Sequence, residues 1–259
     1  MTSTTDFGLW YDFRNPAQWR QPVEEFYAQR LAQISQAEEL GFDSCWLTEH
    51  HFCDDGYTPS PLLLAGMIGT RTRQMQLGTN LMLLPLHDPI RVAEDAATLS
   101  LATGGRFDLG VGIGHRQLEF DQFGRKLSHR PSLVEEGIEI LRRSWSGKPV
   151  NFSGKRFEVG DLCVTPTPQT TPKVYLGGMV EPAIQRAARV ADGFLCTGGI
   201  GIDMYNEALV QQGKSVQDGD VILGSWAIIA EDPEAEAAKI GKHVLYQANE
   251  YIKWGAFGP

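Results

Sequence analysis

Glu49, His50 and His51 stand side by side at the end of an apolar stretch, Gly41-Phe42-Asp43-Ser44-Cys45-Trp46-Leu47-Thr48. An imidazole, with an unperturbed pKa of about 6.5, both gives and takes protons near neutral pH. The pair suits a reaction that must deprotonate a hydroperoxide or a hydrated carbonyl, with Glu49 placed to orient a neighbour. A metal site made of His50, His51, Asp54 and Asp55 fits less well. Adjacent residues of an extended chain point to opposite faces, so the two rings do not readily share one ion. The plainer alternative is that both imidazoles only hydrogen-bond backbone at a rim.

Gly110, Gly112 and Gly114 alternate at the end of a later apolar stretch, and Gly177-Gly178 ends another. Glycines let backbone approach a ligand closely, although such a run also arises where a neighbour packs tightly. The helix after Gly178 opens near Pro182. Its free N–H groups and positive dipole end would face an anion such as a phosphate.

Residues so far apart act together only if the ends of several strands meet. Phe7 to Phe13 reads as a first strand, broken by Asn15-Pro16, and Val23 to Leu40 as a helix with Leu31, Ile34 and Ala37 in phase and Gly41 ending it. The strand leading to Glu49 follows. Pro61 to about Arg71 is a second helix, Met75 to Leu84 a strand, Pro89 to Ala102 a third helix, Arg106 to Val111 a strand and Ser132 to Trp145 a helix. A segment punctuated by glycine and proline at about 150–172 predicts an inserted hairpin. The alternation resumes with strands at Lys173–Leu176, Asp192–Cys196 and Val221–Ala230 and helices at Pro182–Val190, Ile202–Gln212 and from Pro233, the last with Ala237, Ile240 and Val244 in phase. This pattern predicts a parallel sheet, best built as a (β/α)8 TIM barrel occupying 1–259 as one domain. Seven strands are readable and the chain reaches Gly258-Pro259 soon after the last helix, so the expectation is a barrel incomplete at its C-terminus.

With 259 residues, 42% of them hydrophobic, the chain can build a sizeable core. A formal charge of -9 and the lack of a Lys/Arg stripe argue against nucleic acid or an anionic membrane as partner, leaving a small molecule as the default. Cys45, Cys53, Cys163 and Cys196 form no CxxC pair and read as reduced thiols. No signal peptide opens the chain and no apolar run reaches the ~18 residues of a membrane helix, so a cytoplasmic location is expected.

Three segments together carry a resemblance: Glu49-His50-His51-Phe52; Leu77-Gly78-Thr79-Asn80-Leu81-Met82-Leu83-Leu84-Pro85 with Asp88-Pro89-Ile90-Arg91; and Gly104-Gly105-Arg106-Phe107-Asp108-Leu109-Gly110-Val111-Gly112-Ile113-Gly114. In their order and spacing the chain resembles the bacterial luciferase-like flavin monooxygenases over about residues 7–250. The resemblance implies a barrel that uses reduced FMN, supplied by a separate flavin reductase, and molecular oxygen to oxidise a small organic substrate through a flavin hydroperoxide. Some members instead use a reduced deazaflavin coenzyme for hydride transfer, and a non-catalytic flavin-binding partner subunit is a further alternative. It implies that His50 is catalytic. The phosphate would lie on backbone around Gly177, Gly178, Met179 and Val180, paired with Arg130, and Glu49, Gly112 and Gly114 would help hold the cofactor. Asn80-Leu81 would be a cis peptide under the isoalloxazine ring, and the second and third helices would form a homodimer interface. Trp10, Tyr11, Phe52, Tyr57 and Trp226 are expected to favour an apolar substrate. The loop after Pro85, the segment from His115 to Arg130 and the hairpin are expected to shield the mouth from water.

Overall fold

A computed structural model describes residues 5–256 of the protein, and in it strands and helices alternate much as the apolar spacing predicts. The strands are β1 (Gly8–Tyr11), β2 (Ser44–Leu47), β3 (Gln76–Thr79), β4 (Phe107–Val111), β5 (Val150–Ser153), β6 (Glu158–Leu162), β7 (Val174–Gly177), β8 (Gly193–Thr197) and β9 (Asp220–Gly224). The helices are α1 (Val23–Glu39), α2 (Pro61–Gly69), α3 (Pro89–Ala102), α4 (Gln117–Gln122), α5 (Arg130–Ser144), α6 (Glu181–Val190), α7 (Ile202–Gln211) and α8 (Pro233–Lys253). Seven strands form one sheet in the order β1-β2-β3-β4-β7-β8-β9, every neighbour parallel, while β5 and β6 make the expected antiparallel hairpin. Parallel neighbours need long crossovers, which the intervening helices supply.

The sheet curls into a nearly closed barrel, because residues of strands that are not neighbours meet inside it. Trp46 of β2 and Tyr175 of β7 pack edge to face at 5.8 Å between centroids although β3 and β4 lie between them, with Leu195 and Leu81 beside them. The outer faces of the strands bury Leu77, Leu109, Val174 and Phe194 under Ile34 of α1, Ile68 of α2, Val92 of α3, Val134 of α5 and Ile184 of α6. Register fixes the rim: Tyr11 pairs with Leu47 and Leu47 with Thr79, so β1, β2 and β3 end level. Val111 pairs with Leu176 and bridges back to Met82, which brings Gly112 and Gly177 to the same end.

Four expectations are corrected. The strand expected over Met75–Leu84 stops at Thr79; the Asn80–Leu81 peptide is cis, as expected, and Leu84–Leu86 forms a short helical turn. The strand expected to Ala230 stops at Gly224, where pairing with β8 ends. The helix expected from Ser132 begins at Arg130, with Pro131 in its first turn, where a missing N–H has no consequence. The apolar repeat Ala237, Ile240 and Val244 does not mark a buried face of α8: no residue of that helix is buried. Gly258 and Pro259, on which the expected incompleteness turned, lie outside the described residues. Among the described residues, no helix is long and apolar enough to cross a membrane.

One close approach holds β3 against β4. The Thr79 hydroxyl donates to the Gly110 carbonyl (2.6 Å) and accepts from the Gly110 N–H (3.0 Å), and a Cβ at Gly110 would sit 1.9 Å from the Thr79 carbonyl oxygen. Backbone is not a flexible neighbour, so Gly110→Ala should destabilise the protein by about 3 kcal/mol or more, whereas Gly160→Ala, with open space around it, should change stability by less than about 0.5 kcal/mol. Urea unfolding of the two variants measures the contrast.

Candidate active site

Two buried carboxylates organise the rim. Glu119, from the short α4, is fully buried and its Oε1 faces His50 Nδ1 at 2.9 Å. The same oxygen accepts from the His51 backbone N–H (2.9 Å) and from Arg116 Nη1 (3.0 Å). Arg116 also donates to the His51 carbonyl (2.7 Å), so α4 clamps the Glu49–His51 segment from both its donor and its acceptor side. Burial works to raise the pKa of Glu119, but the His50 hydrogen bond and charge, the His51 N–H and Arg116 outweigh it and the carboxyl lies below its usual range. With its Nδ1–H donating to Glu119, His50 has Nε2 left as the nitrogen at which a proton can be exchanged.

Glu49 is the second hub. Its Oε1 accepts from His51 Nε2 (2.9 Å) and His87 Nε2 (2.7 Å), and its Oε2 from the Leu83 N–H. Both oxygens of the residue expected at the cofactor are thus engaged by protein groups. Burial again acts to raise the pKa, but the hydrogen bonds and charges of His51 and His87 bring it down to about 2. Among the described residues, Glu49, His51 and His87 are also a group whose donor atoms lie close enough to hold a metal ion. Two N–H donors on one ionised carboxylate oxygen account for that proximity without an ion.

Above His50 lies a roof of rings. Tyr57 and Trp254 have centroids 5.0 Å from that of His50, and those of His115 and Tyr251 lie at 5.5 and 6.0 Å. Burial, followed by the charges of His50, Arg116 and Arg130, lowers His115 to about 4 against the pull of Glu119, so it is neutral near pH 7. His115 Nε2 and Glu119 Oε2 are both buried without a hydrogen-bond partner. Arg14 adds a buried guanidinium, bonded through Nη1 to Asp55 (2.9 Å) and stacked over Tyr57 (4.5 Å) and Trp254 (4.8 Å).

The structure therefore gathers His50, Glu49, Asn80, Leu81, Gly112 and Gly114 at one rim. Leu81 fills the space between Gly112 and Gly177, where an added Cβ would lie 2.6 or 2.5 Å from it, and Asn80 accepts a hydrogen bond from Trp10 Nε1 through its carbonyl. Gly178 packs on Ala183, and Met179 and Val180 are exposed, with no partner for their N–H groups among the described residues. Arg130 lines a cleft of about 620 Å³ with Arg125 and Lys126. Sequence reasoning missed Glu119, Arg116, His87, Arg14 and Trp254. A charged residue between Leu118 and Phe120, directly after a glycine loop, was the available signal for Glu119.

The lowered pKa of Glu49 has a pH signature. Its pairing contributes stability that is fully present above pH 4.5, the ordinary value, and is lost as pH falls towards 2. Glu49→Gln should flatten this acid arm: the stability difference between wild type and variant should shrink by about 2 kcal/mol between roughly pH 6 and 3, as read by urea unfolding across that range.

A sequence model described as luciferase-like monooxygenase matches residues 5–257. The F420-dependent glucose-6-phosphate dehydrogenase of Amycolatopsis mediterranei (strain U-32) is 30% identical over 218 residues, 78% of this chain and 66% of that protein. The chain spans 66%, 58% and 59% of the length of three curated relatives it matches. Among solved structures, monooxygenase RslO1 from Streptomyces bottropensis superposes with a TM-score of 0.84 at 23% identity, covering 97% of this chain and 82% of that one. The FMN-bound oxygenating constituent of 3,6-diketocamphane monooxygenase from Pseudomonas putida gives 0.79 at 21%, covering 98% and 77%. At those identities the structures speak for the fold, and the match over residues 5–257 for descent: the chain belongs to the luciferase-like monooxygenase family.

Proposed function

We propose that this chain is an FMN-dependent monooxygenase that oxidises a small, apolar organic substrate, with reduced FMN supplied by a separate reductase. The observation that supports it most directly is His50: Nδ1 is engaged by Glu119, which leaves Nε2 for proton exchange, and the rings of Tyr57, Tyr251 and Trp254 pack around the imidazole. Reduced FMN and molecular oxygen would supply the oxygen atom transferred; the protein supplies binding, proton handling and exclusion of water.

The residues at the start of α6 fit a phosphate: Met179 and Val180 offer N–H groups that have no partner among the described residues. That helix end would take the phosphate, and the Asn80–Leu81 backbone would support the ring. His50 Nε2 would accept a proton from the reacting group and return it, while Glu119 steadies the imidazolium that forms. Glu49 holds His51 and His87 and keeps the rim rigid.

A second reading, hydride transfer to or from a deazaflavin coenzyme on the same scaffold, is favoured by the F420-dependent relative. Spectral titration with reduced FMN and with the deazaflavin separates the two, and oxygen uptake with reduced FMN is expected only under the first. A non-catalytic partner subunit would bind flavin and consume no oxygen. His50→Ala should lower turnover by about 10²- to 10⁴-fold while cofactor affinity changes by less than about threefold, and full turnover would remove His50 from the mechanism.

A homodimer through α2 and α3 accords with the exposed Leu63, Met67 and Leu101 on those helices. Leu63→Glu combined with Met67→Glu should yield a folded monomer in sedimentation, and a wild type that sediments as a monomer would discard the interface.

A further inference from the structure

α8 meets the barrel rim through polar and aromatic groups. Gln247 Nε2 donates to Asp12 (2.6 Å), the Tyr246 hydroxyl donates to Asp55 (3.0 Å), and the hydroxyls of Tyr251 and Tyr57 lie 2.7 Å apart. The spacing of 246, 247, 250, 251 and 254 places these groups along one helical stripe. On its opposite side the helix leaves Leu245 and Ile252 60% and 61% exposed. A helix that forms part of a permanent core buries an apolar stripe, and this one does not. Its connection to β9 is irregular from Ser225 to Ile229, and Ile229 is 97% exposed. Beside these contacts a cleft of about 370 Å³ opens between helix and rim, bounded by Arg20, Phe52, Asp55, Arg116, Tyr246 and Trp254.

Where the stripe ends, the Trp254 indole lies between two guanidinium groups, 4.8 Å from that of Arg14 and 4.4 Å from that of Arg116, with its ring 5.0 Å from His50. Arg14 is 5% exposed; its Nε lies 3.4 Å from Asp12 Oδ2, and its Nη2 has no hydrogen-bond partner among the described residues. Asp12 and Asp55 face the same guanidinium, so the cluster has no net positive charge to attract an anion. A buried donor without a partner is unfavourable, and an acceptor delivered by a ligand relieves it.

We propose that α8 is a hinged lid and Trp254 its plug, occupying the place above His50 that a flat, uncharged substrate with a carbonyl or hydroxyl oxygen takes when the lid swings out. The ring of that substrate would stack where the indole stacks, and its oxygen would accept from Arg14 Nη2. Rings are accepted by this sandwich because guanidinium groups pack on aromatic faces. The 225–232 connection is the hinge. The inference rests on placing the reaction at His50, but not on which coenzyme serves it.

The test needs no coenzyme. Carbethoxylation of each histidine by diethylpyrocarbonate is followed by mass spectrometry, together with hydrogen exchange of 233–254, for wild type, Trp254→Ala and the double variant Tyr246→Phe/Gln247→Ala. The last loosens the lid and leaves His50, Arg14 and Trp254 in place. In the wild type, α8 amides should exchange at least about 100-fold faster than those of β2 and β3, which reports local opening. His50 should react about tenfold faster in both variants, with His129 unchanged as an internal control. Acetophenone should bind Trp254→Ala about tenfold more tightly than wild type, while benzoate and ethylbenzene, one charged and one lacking an acceptor, should not gain. Exchange of α8 only by global unfolding, or His50 reactivity unchanged in both variants, would overturn the lid. Equal gains for all three compounds would overturn the role given to Arg14. Failure of FMN to support turnover touches neither result.

Discussion

A carboxylate removed from water must be met by donors, and at this rim that requirement is satisfied twice within a few ångströms. Glu119 gathers His50, the His51 backbone and Arg116, and Glu49 gathers His51, His87 and the Leu83 N–H. Neither side chain has any exposed surface. Removing one partner from such a cluster leaves a buried charge uncompensated, which is why each donor must be held where it is. The strand ends, the glycine loop and α4 all serve that placement, and the geometry of His50 is its product.

Backbone proximity makes the placement possible. Strands β1, β2 and β3 end level because their registers run in step, and β3 meets β4 through a glycine that admits the Thr79 carbonyl. The alternating glycines after β4 serve packing first: Gly110 accepts Thr79, Gly112 accepts Leu81, and Gly114, at φ 70°, turns the chain beside Phe120. The chain then delivers His115, Arg116 and Glu119 to the mouth within one short turn of helix. Interior filling by Trp46 and Tyr175 makes the barrel a packed body below the rim, so chemistry is confined to the loops above it.

Much of this was legible beforehand. The limits of α1 and α3 follow from apolar spacing, with Asp88 accepting from the Ile90 and Arg91 N–H groups to start α3. The seven barrel strands, the hairpin and the position of His50 at a strand end were legible from pattern as well. Three things were not. α4 is six residues long, too short for a helical repeat to register, and Glu119 looks like any solvated charge until Arg116 and two histidines are seen around it. α8 leaves its apolar repeat at most half-buried and docks by tyrosine, glutamine and tryptophan, types that carry no periodic signal. The contact of Trp254 with His50 joins residues 204 positions apart, and pattern within either segment says nothing about the other.

One oxygen of Glu49 serves both His51 and His87, which ties the loop after β2 to the loop after β3. The two loops therefore form a single mechanical piece: lengthening the second by a residue would withdraw His87 and disturb the neighbour of His50 through the shared anion. The turn between β7 and α6, whose Met179 and Val180 N–H groups bind no partner among the described residues, has no such tether. A change in length beside β3 therefore reaches His50 through the shared carboxylate, whereas one in that turn reaches it through no such contact.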